Sequence, residues 1–242
     1  MSGHSKWANI KIKKGKTDAV RGKIFTKIGR EISVAVRAGG ADIQSNSKLR
    51  DAVAKAKAAN MPNDKVKYAI TKASGEDSAN DYNEITYEGY GPLGVAIIVE
   101  TMTDNKNRTA GDVRHIFDKY GGNMGANGCV GWMFQKKGVI VIDREEFDVS
   151  EDDIMMQALD LGAEDVLVED DTYEIRTDLE NFSAVREGLE KLNYQFSVAE
   201  IEMIPDNYIS LTEEAAQKLQ KLLDFMEEND DVQSVWHNGE GL

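Results

Sequence analysis

Lysine side chains are concentrated near the start of the chain, where they could neutralise a polyanion. Five of them fall within eleven positions and are interleaved with an aromatic and two apolar residues: Lys6, Lys11, Lys13, Lys14 and Lys16, with Trp7, Ile10 and Ile12. Lysine ammonium groups release counterions from phosphates, and the indole ring of Trp7 offers a face on which a base can stack. Four further cations follow: Arg21, Lys23, Lys27 and Arg30. We predict that this segment binds nucleic acid; the alternative is a solvated lysine face with Trp7 packed against the rest of the protein.

The charge of the chain is divided unevenly between its two ends. Residues 1–72 contain 17 Lys and Arg against five acidic residues, a net charge of +12. Residues 73–242 carry a net charge of −26, which gives −14 for the whole chain of 242 residues. Such asymmetry is typical of a protein in which one part meets a polyanion and another does not. The acidic remainder could also hold the basic segment down, and this alternative stays open.

Side chains suited to covalent, acid–base or metal chemistry are sparse. The three histidines, His4, His115 and His237, lie one per region and no pair has metal-ligand spacing. His115 adjoins the apolar stripe of its helix and is expected to be packed. The single cysteine, Cys129, excludes an internal disulfide, fits a reducing compartment and is expected to act as a small buried hydrophobe. We therefore predict no enzyme activity, catalytic residue, metal, cofactor or small-molecule substrate.

A glycine-rich stretch spans residues 121–131, GGNMGANGCVG. It matches neither GxGxxG nor GxxxxGK[ST], and it follows a predicted helix instead of opening one. We interpret it as a turn between helix and strand, whose backbone could still contact RNA or protein. Nearby, Lys106, Arg108 and Arg114 either continue a binding surface or form the solvated side of a helix.

Apolar periodicity predicts the elements that position the cations. One helix starts at Asp18 and stops at Gly39-Gly40, a second runs from Ser45 or Ser47 to Ala59, and a third starts near Pro62. The polar, acidic stretch 74–83 is predicted to be a domain linker. Residues 1–75 are thus interpreted as a basic arm plus a three-helix bundle.

Beyond the linker, strands alternate with helices. Residues 138–204 follow the order βαββαβ of a ferredoxin-like unit. The flanking elements are predicted to repeat that order: strand 95–100, helix 103–120, strand 129–134, a strand near 200–210, helix 212–228 and strand 232–236. The predicted fold is α+β and multidomain, an N-terminal three-helix bundle followed by two ferredoxin-like domains. Residues 136–204 form the inserted domain, and residues 84–135 with 205–242 form the domain that receives it.

The hydropathy of the sequence indicates the cellular compartment of the protein. No apolar run approaches the roughly 20 residues that span a bilayer. The first residues lack the apolar stretch of a secretory signal. We expect a cytoplasmic protein without a membrane partner.

Three long segments resemble the YebC/PmpR family: GHSKWANIKIKKGKTDAVRGKIFTKIGREI, GYGPLGVAIIVETMTDNKNRTAGDVRHIF and GGNMGANGCVGWMF. The resemblance implies a helical bundle followed by two α+β domains. Family members are described as probable transcriptional regulators that bind promoter DNA, and related members, mitochondrial ones included, as translation factors that act at the ribosome. The resemblance assigns nucleic-acid binding to the positions that match the basic motif: Lys6, Trp7, Lys11, Lys13, Lys14, Lys16, Arg21, Lys23, Lys27 and Arg30.

Two functions follow as alternatives. A transcriptional regulator that binds DNA is favoured by the cationic first third and by the family description, but the bundle shows no recognition helix and long duplex would meet an acidic body. A ribosome-associated translation factor that relieves stalling at proline-rich stretches is favoured because a lysine arm with a stacking Trp7 suits ribosomal RNA, and acidic domains suit basic ribosomal proteins. A hydrolase or transferase on the same scaffold lacks a catalytic constellation.

Overall fold

The computed structural model describes residues 18–75, 82–145, 147 and 149–242, which form two compact units. The larger unit contains residues 18–75, 82–135 and 205–242, and the smaller unit contains the described residues between 136 and 204. The helices are α1 (Asp18–Gly39), α2 (Ser47–Ala58), α3 (Asn63–Ser74), α4 (Lys106–Lys119), α5 (Glu151–Asp160), α6 (Phe182–Lys191) and α7 (Glu213–Glu228). The strands are β1 (Asn83–Tyr90), β2 (Ala96–Thr103), β3 (Asn123–Met124), β4 (Phe134–Asp143), β5 (Asp165–Val168), β6 (Thr172–Thr177), β7 (Val198–Pro205), β8 (Ile209–Ser210), β9 (Val232–His237) and β10 (Gly239–Glu240). The protein is α+β, as predicted.

The larger unit begins with a bundle of α1, α2 and α3. The predicted stop of α1 is confirmed, because the helix ends at Gly39 and Gly40 has a φ of +84°, which glycine adopts without steric cost. α2 begins at Ser47, one of its two predicted starts, and Asn46 caps it, since its side-chain oxygen accepts a hydrogen bond from Leu49 N at 3.1 Å. The same side chain donates to the carbonyl oxygens of Ala35 and Gly40, both at 2.8 Å, and so ties α2 to the end of α1.

Each helix of the bundle buries one face. The shared core consists of Ile28, Ile32, Ala35, Val36, Leu49, Ala52, Val53, Ala56, Met61, Val66 and Ala73. Burying a charge without a partner is costly, so the lysines and arginines of these helices occupy the other faces. The bundle therefore presents cations on its surface.

The larger unit continues as a sheet with the strand order β3-β1-β2-β9, against which α4 and α7 pack. β1 and β2 form an antiparallel hairpin in which Asn83 pairs with Thr103 and Tyr90 pairs with Ala96. β9 pairs antiparallel with β2, so residues beyond the smaller unit complete this sheet. Its core consists of Val95, Ile97, Val99, Val113, Ile116, Phe117, Leu219, Leu222, Leu223, Met226 and Val232.

This sheet differs from the second ferredoxin-like unit that the sequence predicts. β1 is missing from the prediction, because NEITYEGY mixes glutamates and a glycine with its apolar residues. The predicted strand 129–134 is wrong, since residues 131–133 form a 3₁₀ helix and β4 begins at Phe134. The predicted strand near 200–210 corresponds mainly to β7, which belongs to the other sheet. Only β2 and β9 of the four predicted strands lie in the sheet described here.

The smaller unit contains β4, α5, β5, β6, α6 and β7 in chain order, with the strand order β5-β6-β4-β7. Ser150 caps α5, because its hydroxyl accepts a hydrogen bond from Asp153 N at 3.1 Å and donates to the Asp153 carboxylate at 2.7 Å. The core consists of Ile140, Ile142, Ile154, Ala158, Val166, Tyr173, Ile175, Phe182, Val185, Leu189 and Tyr194.

Candidate nucleic-acid interface

The residues predicted to bind nucleic acid fall into two groups. Six lie outside the described residues: Lys6, Trp7, Lys11, Lys13, Lys14 and Lys16. The other four lie on α1, where Arg21 and Lys23 are exposed and Lys27 and Arg30 are half-buried. These four side chains thus lie on one helix, but Lys23, Lys27 and Arg30 bind different partners within the fold.

Two lysines of α1 contact the C-terminal end of α7. Lys23 Nζ donates to the carbonyl oxygen of Glu228 at 3.3 Å, and Lys27 Nζ donates to that of Glu227 at 3.1 Å. Carbonyls in the last turn of a helix lack intrahelical partners and carry the negative end of the helix dipole, so ammonium groups stabilise them. Both contacts are exposed to solvent, and a phosphate can compete with the carbonyls for either lysine.

Arg30 is anchored more firmly than these lysines. Its Nη1 atom lies 2.7 Å from Asp231 Oδ1, and the two side chains are only 14% and 5% exposed. The same nitrogen donates to the carbonyl oxygens of Met102 at 2.9 Å and Asp230 at 2.7 Å. Arg30 therefore joins the bundle to the α+β part of the larger unit.

Asp231 also binds the cationic patch predicted on α4. Arg108 Nη2 donates to Asp231 Oδ2 at 2.8 Å and to Asp104 Oδ1 at 2.9 Å, and Thr109 Oγ1 donates to Asp231 Oδ2 at 2.7 Å. Burial alone raises the pKa of a carboxyl group, but the hydrogen bonds from Arg108, Thr109 and Arg30 outweigh it and lower the pKa of Asp231 to about 2. The hydrogen bonds to Asp231 and Asp104 raise the pKa of Arg108. Arg108 is therefore occupied within the fold, whereas Lys106 and Arg114 are exposed on α4.

The structure shows a cationic face on α3 that the sequence does not predict. Tyr68 is 67% exposed, and Lys67, Thr71 and Lys72 beside it are exposed as well. Within the described residues, no hydrogen bond, ion pair or ring contact engages the side chains of Lys67, Tyr68 and Lys72. The signal for this face in the sequence is Tyr68, an aromatic residue that lies outside the apolar stripe of its helix.

This α3 face, defined by Lys67, Tyr68 and Lys72, combines a ring with two ammonium groups. Tyr68 and Lys72 are four positions apart on a helix, so their side chains are neighbours on its surface. Lys65 is not part of the face, since its Nζ atom lies 5.1 Å from the centroid of the Phe25 ring. A base can stack on the exposed ring while the ammonium groups contact phosphates.

The glycine-rich loop surrounds a carboxylate of the protein itself. Glu88 on β1 is buried and accepts hydrogen bonds from Gly128 N and Val130 N, both at 2.8 Å, and from Gly131 N at 2.6 Å. Burial opposes ionisation of Glu88, but these three amides outweigh it and lower the pKa of the carboxyl group. The amides of the loop therefore already bind the carboxylate of Glu88. This agrees with the interpretation of the stretch as a turn and not as a nucleotide site.

Among the described residues, the side chains that could perform acid–base chemistry do not come together in one site. His115 is exposed, which corrects the expectation that it packs, because the buried positions of α4 are Thr109, Val113, Ile116 and Phe117. Burial and the nearby Glu88 carboxylate raise the pKa of the half-buried Cys129, as fits an unreactive thiol. Across the described residues, no group of three or more His, Cys, Asp or Glu is arranged to hold a metal ion, and no helix is long and apolar enough to cross a membrane.

Comparison with known proteins covers nearly the whole chain. Residues 5–76 match the TACO1/YebC protein N-terminal domain, and residues 82–239 match the TACO1/YebC second and third domain. A probable transcriptional regulatory protein of Acetivibrio thermocellus is 60% identical over 242 residues, all of both chains. One of the same description from Clostridium acetobutylicum is 58% identical over 99% of this chain and 97% of its own.

A solved structure agrees with the fold. The crystal structure of a conserved hypothetical protein from Aquifex aeolicus superposes with a TM-score of 0.84 at 45% identity, covering 93% of this chain and 92% of that one. The basic α1, the Glu88 loop and the sheet that closes through β9 all lie within the matched domains. Because the chain matches both family domains and is 60% identical to a relative over its full length, it belongs to the TACO1/YebC family.

Proposed function

We propose that this protein is a nucleic-acid-binding regulator of gene expression, acting through its basic first third. The observation that carries the proposal is the α3 face, an exposed Tyr68 between Lys67 and Lys72 that are not engaged within the described residues. The net charge of +12 over residues 1–72 adds long-range attraction for a polyanion. The names of the relatives, probable transcriptional regulatory proteins, point the same way.

The first form of the proposal is a cytoplasmic transcriptional regulator that binds DNA. Eight of the ten predicted residues of the arm and α1 would contact phosphates, namely Lys6, Lys11, Lys13, Lys14, Lys16, Arg21, Lys23 and Lys27, and Trp7 would stack on a base. We add the α3 face to that set and assign Arg30 a positioning role, because its guanidinium group is bound to Asp231. Lys106 and Arg114 are a secondary contact in this proposal. Phosphate contacts of this kind give affinity and orientation, whereas sequence must be read at base edges.

The second form is a ribosome-associated translation factor that binds RNA, and one observation favours it. Residues 73–242 carry a net charge of −26 and belong to the same protein as the basic bundle. A long duplex bound to the bundle would be repelled by this acidic remainder, and a short looped or single-stranded RNA, which carries fewer phosphates, would be repelled less. An exposed tyrosine also suits unstacked bases better than a paired duplex.

Affinity for short nucleic acids tests the proposal. Fluorescence anisotropy of the full chain with labelled single-stranded RNA, single-stranded DNA and duplex DNA would compare Lys67→Glu/Lys72→Glu with a control of equal charge, Lys191→Glu/Lys221→Glu, whose lysines are exposed elsewhere. We expect the α3 variant to bind at least about tenfold more weakly, a loss of roughly 1.4 kcal/mol, and the control to change little. Equal affinity of the two variants would refute the α3 face. Replacing Lys11, Lys13 and Lys14 with Glu tests the arm in the same assay.

The choice between DNA and RNA needs two further readouts. Tyr68→Ala should weaken the binding of single-stranded RNA by about 5- to 150-fold, the range for loss of one base–aromatic stack, and should weaken the binding of duplex DNA much less. Sedimentation of an extract at low salt shows whether the protein travels with ribosomes. Its absence from ribosomes, together with sequence-selective footprints on promoter DNA, would favour transcription.

A further inference from the structure

The smaller unit has a surface that the nucleic-acid proposal does not use. Residues 136–204 contain 20 acidic and six basic residues, a net charge of −14. A nucleic acid or an anionic membrane would be repelled by such a unit, whereas a cationic protein would be attracted.

Helix α5 exposes apolar side chains on the side away from its core. Ile154 and Ala158 are fully buried, but Met155 is 37%, Met156 58% and Leu159 46% exposed. These three residues are one, three and four positions apart, so they form a single patch along one side of the helix. Apolar side chains clustered in this way mark an interaction surface more often than isolated ones do.

The charged residues of α5 itself are all acidic. α5 has the sequence EDDIMMQALD and contains no basic residue. Glu151 is paired with Arg144 at 2.7 Å, and Asp153 is used in the cap of the helix. Asp152 and Asp160 are exposed, and no side chain among the described residues pairs with either. Two unpaired carboxylates thus lie beside three exposed apolar side chains.

We propose that the α5 face, formed by Met155, Met156 and Leu159 with Asp152 and Asp160, docks a cationic amphipathic helix of a partner protein. The partner's apolar side chains cover the two methionines and the leucine, and its lysines or arginines meet the two carboxylates. Methionine is unbranched and polarisable, so it adapts to side chains of different shape. A second copy of this chain fits less well, because pairing α5 with α5 would bring Asp152 and Asp160 against carboxylates of the same charge.

Binding of a designed peptide tests the face without any nucleic acid. The probe is a helical peptide of about 16 residues with leucines at positions i, i+3, i+4 and i+7 and lysines elsewhere, compared with a scrambled peptide of equal composition. Calorimetry at about 0.15 M salt suppresses non-specific attraction. We expect the amphipathic peptide to bind at least about tenfold more tightly than the scrambled one.

Matched variants locate the binding. Met155→Gln/Met156→Gln/Leu159→Gln should weaken the binding of the amphipathic peptide at least about tenfold. Leu179→Gln/Leu192→Gln, at exposed leucines elsewhere in the same unit, should leave it unchanged. Asp152→Asn/Asp160→Asn should reduce both the affinity and its dependence on salt. Equal binding by both glutamine variants, or by both peptides, would overturn the proposal.

Self-association is the competing outcome. If the wild-type chain dimerises in analytical ultracentrifugation and the Met155→Gln/Met156→Gln/Leu159→Gln variant is monomeric, the occupant is a second copy and the proposed partner is wrong. The same variant should bind single-stranded RNA as the wild type does. Loss of peptide binding with RNA binding intact would therefore separate this face from the basic bundle.

Discussion

Arg30 and Asp231 are 201 positions apart in sequence, yet the Arg30 Nη1 and Asp231 Oδ1 atoms are 2.7 Å apart. Both side chains are nearly inaccessible to water, and Arg108 approaches the other oxygen of the same carboxylate at 2.8 Å. One carboxylate thus joins α1 to α4 at the start of β9. A single substitution at Asp231 should affect both contacts.

We predict that Asp231→Asn lowers the free energy of unfolding by roughly 2–4 kcal/mol, because it leaves the Arg30 guanidinium poorly compensated in a site with little water. Urea unfolding followed by circular dichroism measures the change. Asp230→Asn is the matched control, since its side chain is exposed and it contacts Arg30 through its carbonyl oxygen. Equal stabilities of the two variants would contradict the role of the buried carboxylate.

His237 should make the protein sensitive to mild acid. Burial lowers the pKa of His237 from 6.5 to about 4, while its Nδ1 atom accepts a hydrogen bond from Gly239 N at 3.2 Å. The unfolded chain binds the proton more readily, so stability is complete above about pH 6.5, falls as the pH drops towards 4, and loses roughly 3 kcal/mol in that window. His237→Asn should remove this loss, and His115→Asn, at an exposed position, should not.

A second loss of stability is expected at lower pH. Asp231 has a pKa of about 2 against 3.8 for an ordinary aspartate, so its contribution is present above about pH 4 and disappears as the pH falls towards 2. Unfolding curves collected between pH 2 and 7 would show the two windows separately. If Asp231→Asn kept the lower window unchanged, another group would be responsible for it.

Glu88→Gln should loosen the glycine-rich loop. A glutamine side chain offers one acceptor oxygen where the carboxylate offers two, so at least one of the amides of Gly128, Val130 and Gly131 loses its partner, at a cost of roughly 1–3 kcal/mol. Hydrogen exchange should accelerate at these amides. Glu84→Gln, at an exposed position of the same strand, serves as the control and should leave the exchange unchanged.

Two glycines in α1 can be replaced to stabilise the bundle. A Cβ atom at Gly22 or Gly29 would meet nothing within 4 Å, so Gly22→Ala/Gly29→Ala should raise the free energy of unfolding by roughly 1 kcal/mol per site. Gly39→Ala should destabilise instead, because its Cβ would lie 2.8 Å from Cγ of the Asn46 cap. Thermal unfolding of the two variants checks the opposite signs.

The salt dependence of nucleic-acid binding measures the part played by the arm. If its five lysines neutralise phosphates, they should contribute about −4.5 to the slope of log K against log salt concentration on duplex DNA and about −3.5 on a single strand, and the cations of α1 and α3 add to this. Lys11→Glu/Lys13→Glu/Lys14→Glu should make the duplex slope shallower by about 2.7. An unchanged slope in this variant would assign the phosphate contacts to other residues.

Local patterns in the sequence predict most helices of this fold. Ser150 and Thr212 are recognisable caps, and the structure shows their oxygens accepting hydrogen bonds from Asp153 N and Ala215 N. Gly39-Gly40 marks the end of α1 for an equally local reason. Such features depend only on neighbours within four residues, so one sequence is enough to find them.

The missed features depend on contacts between distant residues. The stretch from Cys129 to Phe134 is apolar enough to suggest a strand, but the carboxylate of Glu88, about 40 positions earlier, holds it as a turn. The role of Arg30 is hidden in the same way, because only the fold brings Asp231 beside it. Charge patterning identifies the basic first third, but it does not distinguish the cations that bind the protein from those on the α3 face.

The position of β9 at the end of the chain sets an order for folding during synthesis. When β1, β2 and α4 have been made, the outer edge of β2 has no partner, and it gains one only after the whole smaller unit has been translated. The smaller unit is contiguous, so it can close before the unit that precedes it. A released fragment that ends at residue 205 should therefore contain a folded insert, and the edge of β2 in the same fragment should be open and prone to aggregate.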